Sequence, residues 1–194
     1  MATTANAGPY AARLEIDYPD QLDRLTTALR LFWAIPIWIV ITAINASSIV
    51  LAPLLMILFR QKYPRWWFDW NLEFARFSTR VGAYAALLTD QYPATDEQQG
   101  VHLDLDYPDV PNDLNRWLPL VKWILAIPHY IVLVVLLLIS FFAVVIAWFA
   151  ILFTGVYPAG LFRFVVGVFR WSLRVEAYAF LMLTDEYPPF RLDP

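Results

Sequence analysis

The chain states one pattern twice. Leu14-Glu15-Ile16-Asp17-Tyr18-Pro19 is answered by Leu103-Asp104-Leu105-Asp106-Tyr107-Pro108. Ala34-Ile35-Pro36 is answered by Ala126-Ile127-Pro128, and Ile57-Leu58-Phe59 with Tyr63-Pro64 by Ile151-Leu152-Phe153 with Tyr157-Pro158. Arg80-Val81 and Ala83-Tyr84-Ala85 return as Arg174-Val175 and Ala177-Tyr178-Ala179. Leu88-Thr89-Asp90 with Tyr92-Pro93 returns as Leu183-Thr184-Asp185 with Tyr187-Pro188. A tandem direct repeat restricts the fold to two copies of one unit that bury a shared core. The pattern divides the chain into a polar tail (1–13), unit 1 (14–93), an acidic linker (94–102), unit 2 (103–188) and a short C-terminal tail (189–194).

Charge is unevenly spread. Residues 31–59 hold no charged side chain, and residues 123–162 hold none if His129 is neutral. About 20 apolar residues suffice to cross a bilayer, so both runs read as transmembrane candidates. The first 30 residues carry seven charges and no apolar core, unlike a cleaved signal, so the first apolar run is expected to act as its own insertion signal. There is no cysteine, hence no disulfide or thiolate chemistry. A net charge of −3 without a basic stripe apart from the apolar segments argues against a nucleic-acid partner.

Within a unit, Leu14–Asp17 and Val101–Asp106 alternate with period two, as half-buried strands do. They are expected to pair as a small extramembrane β cap. Amphipathic helices follow over 20–35 and 113–127, with Asp20 and Asp113 as N-caps and Pro36 and Pro128 as breaks. The apolar runs 36–59 and 128–153 fit one crossing each. Residues 132–153 have no glycine, proline or asparagine at which a hairpin could turn.

The third segments, 66–89 and 161–184, carry a thin stripe. Asp69, Glu73, Arg76 and Arg80 fall within about 60° on a helical wheel, and Arg163, Gly167, Arg170 and Arg174 repeat the line. A narrow charged line on an apolar helix favours a membrane helix facing partner helices over an interfacial one. The fold class expected is therefore an all-α membrane protein with two transmembrane helices per repeat, four in total. Termini and linker then share one side. Shallow hairpins with surface helices are the alternative.

Tyr18, Tyr63, Tyr92, Tyr107, Tyr157 and Tyr187 each precede a proline and read as membrane-interface punctuation. Fourteen of the seventeen acidic residues lie before Leu31, in 90–115 or after Thr184, so they could gather on one face. Such oxygen clusters suit hard cations, but no EF-hand-like spacing occurs, and caps and ion pairs explain them equally. The stripe residues Asp69, Glu73, Arg76, Arg80, Arg163, Arg170 and Arg174 form a candidate intramembrane charge network, with Asp69 facing Arg163. With Glu176 added, five arginines meet three acids, which leaves room for an anionic phospholipid headgroup or a partner's carboxylate. No metal spacing, nucleophile elbow or phosphate loop is present, so no catalytic residue, metal or cofactor is expected.

Residues 101–188 resemble a bacterial membrane-protein family, domain of unknown function 4389. The resemblance rests on Ala126-Ile127-Pro128-His129, the run from Ala147 to Pro158, Arg170-Trp171-Ser172-Leu173-Arg174 and the run from Leu183 to Phe190. Unit 1 departs from it where Arg60-Gln61-Lys62 replaces Thr-Gly-Val and Asp69 stands for Arg163. The resemblance implies a membrane location and supplies no binding or catalytic residues. The functional expectation is a non-catalytic, multi-pass protein of the bacterial inner membrane with cytoplasmic termini, serving as a scaffold or accessory subunit beside other membrane proteins. The alternative is a lipid- or anion-binding or transport protein that uses the arginine stripe at the repeat interface.

Overall fold

The computed structural model describes residues 10–45, 51–95 and 97–194; most of the N-terminal tail and part of the first apolar run lie outside it. Strand β1 (Ala12–Ile16) precedes α1 (Arg24–Asn45), α2 (Leu51–Leu55, prolonged by a π-helical turn at Met56–Arg60) and α3 (Arg65–Ala85). Unit 2 holds β2 (Val101–Leu105), α4 (Val110–Asp113), a 3-10 turn at Leu118–Leu120, α5 (Lys122–Leu125), α6 (Ile127–Thr154) and α7 (Ala159–Ala179).

The strands form where alternation predicts them. They pair antiparallel, with Leu14 opposite Leu103. These two leucines are equivalent in the repeat, so a pseudo-twofold axis passes through their pair. The consequence is an exchange: β1 packs on α7 of unit 2, and β2 on α3 of unit 1. Each unit's strand thus completes the other unit's core. Alternate residues Ala12, Leu14, Ile16, Val101, Leu103 and Leu105 are buried, while Arg13, Glu15, His102 and Asp104 face outward.

Three layers result. Along α7, Phe162, Val166, Leu173 and Ala177 join the core beneath the sheet. Trp171, Val175 and Tyr178 lie on roughly the opposite side of the helix and pack against Leu133 and Ala126 at the start of α6. Phe77 and Val81 of α3 likewise pack against Ile37 and Ile41 of α1. The order is sheet, then α3 with α7, then α1 with α6.

Local chemistry sets the ends. The Asp23 carboxylate, rather than that of Asp20, caps α1 by accepting the Thr26 N–H at 2.8 Å. Pro36 does not end the helix; α1 carries it internally. In unit 2 the corresponding stretch is broken, Asp113 ends a short helix instead of capping a long one, and Pro128 sits in the first turn of α6, where its missing N–H costs little. Gly155 closes α6 in the left-handed region (φ 77°), donating to the Ile151 carbonyl at 2.7 Å. Its counterpart Gln61 adopts the same region (φ 47°) without being glycine.

The four-crossing architecture is overturned. Among the described residues one helix, α6, is long and apolar enough to cross a membrane. The stripes that made α3 and α7 look like membrane helices point at the strands instead. The sheet runs along the middle of both helices and turns charged side chains outward there. Lipid at that height would meet those charges, which is prohibitive. Hydrogen bonds from Arg76 and Arg170, near the middles of α3 and α7, to the strands make the sheet a layer along the helices, away from their ends.

Candidate functional site

The arginines sit between the sheet and the middle layer. Arg76 Nε donates to the Leu103 carbonyl at 2.9 Å, and Arg170 Nε to the Leu14 carbonyl at 3.0 Å. These bonds are exchanged by the pseudo-twofold. Each guanidinium satisfies an outward carbonyl on an open sheet edge, and each does so on the other unit's strand. Arg80 donates to the Ala94 carbonyl at 2.6 Å. Arg174 donates to the carbonyls of Arg191 (3.3 Å) and Asp193 (2.7 Å). The remaining stripe residues do not join one network. Asp69 pairs with Arg65 at 3.1 Å on the surface, Glu73 pairs with Arg76 at 2.7 Å, and Arg163 is exposed without an ion pair among the described residues.

The Tyr-Pro tyrosines serve the same interlock. Tyr18 donates to the Tyr157 carbonyl and Tyr107 to the Tyr63 carbonyl, again a symmetric exchange. Tyr63 is buried and donates to the Leu181 carbonyl at 2.9 Å. Tyr157 is buried as well. Burial pushes both phenol pKa values up, because the anion would be desolvated. Tyr92 and Tyr187 stand edge-on to Tyr84 and Tyr178.

A second symmetric device escaped the sequence reading. Arg30 is 2% exposed, pairs with Asp90 and lies over the Tyr84 ring at 4.6 Å. Lys122, fully buried, lies 2.7 Å from Asp185 and 5.2 Å from the Tyr178 ring centre. These cations occupy equivalent places, four residues before Ala34 and Ala126. That coincidence was the available signal. One clamp ties the start of α1, and the other ties α5 just before α6, to the segment following a middle-layer helix.

Two related cavities flank the sheet. One, of about 320 Å³, is lined by Arg76, Arg80, Glu73, Glu97 and Asp104, so acids outnumber arginines. Its counterpart, of about 580 Å³, is lined by Arg13, Arg170, Arg174 and Arg191 against Glu15 and Asp104. Burial, followed by the neighbouring Arg191 and Arg170, pulls the Arg174 pKa below its usual value, with Tyr10 and Asp193 acting against them. Tyr10, whose hydroxyl lies 3.3 Å from the Arg174 and Glu186 carbonyls, closes one wall. Arg13, Arg191 and Tyr10 lie outside the helical stripe, so wheel periodicity could not find them.

The family model described as "Domain of unknown function (DUF4389)" matches residues 24–95 and again residues 117–191. The chain belongs to that family. The two matches coincide with the two units, so it is a tandem arrangement of the domain. No curated protein and no solved structure matches it.

Proposed function

We propose that this member of the family is a membrane-bound, non-catalytic scaffold or accessory subunit that seats its α1/α6 layer in lipid and presents its sheet to water. The observation that carries the reading is the segregation of the two faces. On α6, Ile131, Val134, Leu138, Phe142, Phe149 and Phe153 are all exposed, as are Leu25, Phe32 and Trp33 on α1. Only 22% of the most apolar stretch of α6 is buried. An apolar surface of this extent marks an interaction site rather than a soluble face. The opposite face is lined by Arg13, Glu15, His102 and Asp104.

The layer order favours α6 lying in the membrane plane. It runs antiparallel to α7, from Ala126 beside Ala179 to the short turn at Gly155. An upright α6 would carry the charged sheet into the bilayer beside it. Its own seam, through Leu133, Ser140, Ala143, Ala147 and Ile151, is covered by protein, so the helix needs no polar face of its own. The basic residues Arg60, Lys62, Arg65 and Arg116 support placing the water-facing side in the cytoplasm of a bacterial cell.

The test uses the absence of native cysteine. Cysteines replacing Trp123, before α6, and Val156, after it, should both react with an impermeant reagent from the same side of sealed vesicles. Labelling from opposite sides would mean that α6 crosses. Release of the protein by alkaline carbonate would remove the membrane reading altogether.

A further inference from the structure

We propose that the larger cavity beside β1 is a binding site for a compact oxyanion, a phosphate group held by Arg170, Arg174 and Arg191. Two of the lining charges are already engaged. Arg13 is engaged by Asp106 through two bonds of 2.8 and 2.7 Å. Asp104 is engaged by Arg76 at 2.9 Å. That leaves three lining arginines and one lining side-chain carboxylate, Glu15; Asp193 of the tail also lies near Arg170 and Arg174, so one positive side chain stays in surplus. Arg174 is 2% exposed, meets only carbonyl oxygens, and its buried Nε has no hydrogen-bond partner. A guanidinium has five N–H donors, and Arg170 spends only two hydrogen bonds on the Leu14 and Leu192 carbonyls. Buried cations are normally paired or coordinated, and guanidinium forks fit phosphate oxygens in pairs.

The sister cavity sharpens the point. There the place of Gly167 is taken by Glu73, which bonds Arg76 at 2.7 Å. Nature's own version of the occupied site therefore holds a carboxylate against the equivalent arginine. In unit 2 the matched position offers no side chain, and a Cβ on Gly167 would meet Leu192 at 2.8 Å. A volume of about 580 Å³ falls in the range of small-molecule sites. The cavity is lined by the sheet, α7 and the C-terminal tail, with no residue of α1 or α6. It is therefore reached from the water side, and a soluble phosphate compound is the source the geometry favours over a lipid headgroup.

The experiment is calorimetric titration of the full chain in mild detergent with inorganic phosphate, against chloride at equal ionic strength. Saturable binding to the wild type is expected, weakened roughly tenfold or more by Arg191→Gln, whose side chain is exposed and makes no hydrogen bond or ion pair among the described residues. Arg170→Gln should do the same if it folds. Glu15→Gln should tighten binding, and Arg163→Gln, a surface arginine elsewhere, should leave it unchanged. No phosphate-specific heat, or wild-type affinity in Arg191→Gln, would overturn the site. Competition by vesicles of phosphatidic acid, but not phosphatidylcholine, would assign the phosphate to a lipid headgroup; no competition would assign it to a soluble compound.

Discussion

The two units use one frame to opposite electrostatic ends. Arg76 and Arg170 reach equivalent strand carbonyls at nearly the same distance. Arg76 is then neutralised by Glu73 and Asp104, while Arg170 and Arg174 meet only carbonyl oxygens. The matched position is one source of the difference: the glutamate of unit 1 bonds Arg76, whereas the glycine of unit 2 lies against Leu192 of the tail. The backbone exchange between units is thus the conserved part of the duplication within this chain, and the charge around it is the part free to change.

The buried clamps give the largest test of that comparison. Asp90→Ala leaves Arg30 buried without its carboxylate, and Asp185→Ala does the same to Lys122. Breaking a buried pair costs about 3–5 kcal/mol. The two losses should differ in pH dependence. Burial already lowers the Lys122 pKa from the ordinary lysine value, and removing Asp185 takes away what holds it up. The unfolded chain then binds more protons than the folded one through the alkaline window below the ordinary lysine value. Stability of Asp185→Ala should rise with pH there. Arginine cannot shed its proton in that range, so Asp90→Ala should stay flat. Chemical unfolding in detergent between about pH 7 and 9 reads both, using lysine's ordinary value near 10.4 as the upper reference. Parallel behaviour of the two variants would show that Lys122 keeps its proton through this window despite its burial.

An intermediate effect separates the matched pair Glu73 and Gly167. Gly167→Ala must push Leu192 aside, and overpacking of this kind costs about 1–3 kcal/mol. Glu73→Ala removes a carboxylate whose side chain is 61% exposed, so about 0–1 kcal/mol is expected. Thermal unfolding of both variants checks the order. A harmless Gly167→Ala would mean that the tail does not rest on α7 in solution.

The strands, the long uninterrupted α6 and the existence of α3 and α7 were legible in the sequence, because each rests on a local pattern: alternation, a run without breakers, a stripe. Helices α3 and α7 end four and five residues earlier than expected, at Ala85 and Ala179. What the stripe faces was not legible. A wheel assigns Arg76 and Arg170 to one side of a helix but cannot say whether a helix, lipid or a strand from the other unit lies there. The four-crossing expectation failed on that point. The clamp cations were hidden for another reason. Arg30 and Lys122 each stand alone among apolar neighbours, and their partners are 60 and 63 positions away, as the pairs Arg30–Asp90 and Lys122–Asp185 show. Only the matched spacing of the two units could have linked them.

The two matched helix ends give a last comparison. Gly155 and Gln61 are the same position in the two units, and both end a helix with positive φ, at 77° and 47°. Both donate their N–H four residues back, to Ile151 at 2.7 Å and to Ile57 at 3.2 Å. For glycine the conformation is free of Cβ strain; for glutamine it costs about 1 kcal/mol or slightly more. The Gln61 side chain is exposed, so removing it forfeits no packing. Gln61→Gly should therefore raise stability by up to about 1 kcal/mol, while Gly155→Gln should lower it by about 1–2 kcal/mol. If the first variant is instead destabilised, the π-helical turn at Met56–Arg60 relaxes with it. The two helix ends would then be different structures that share only a sign of φ.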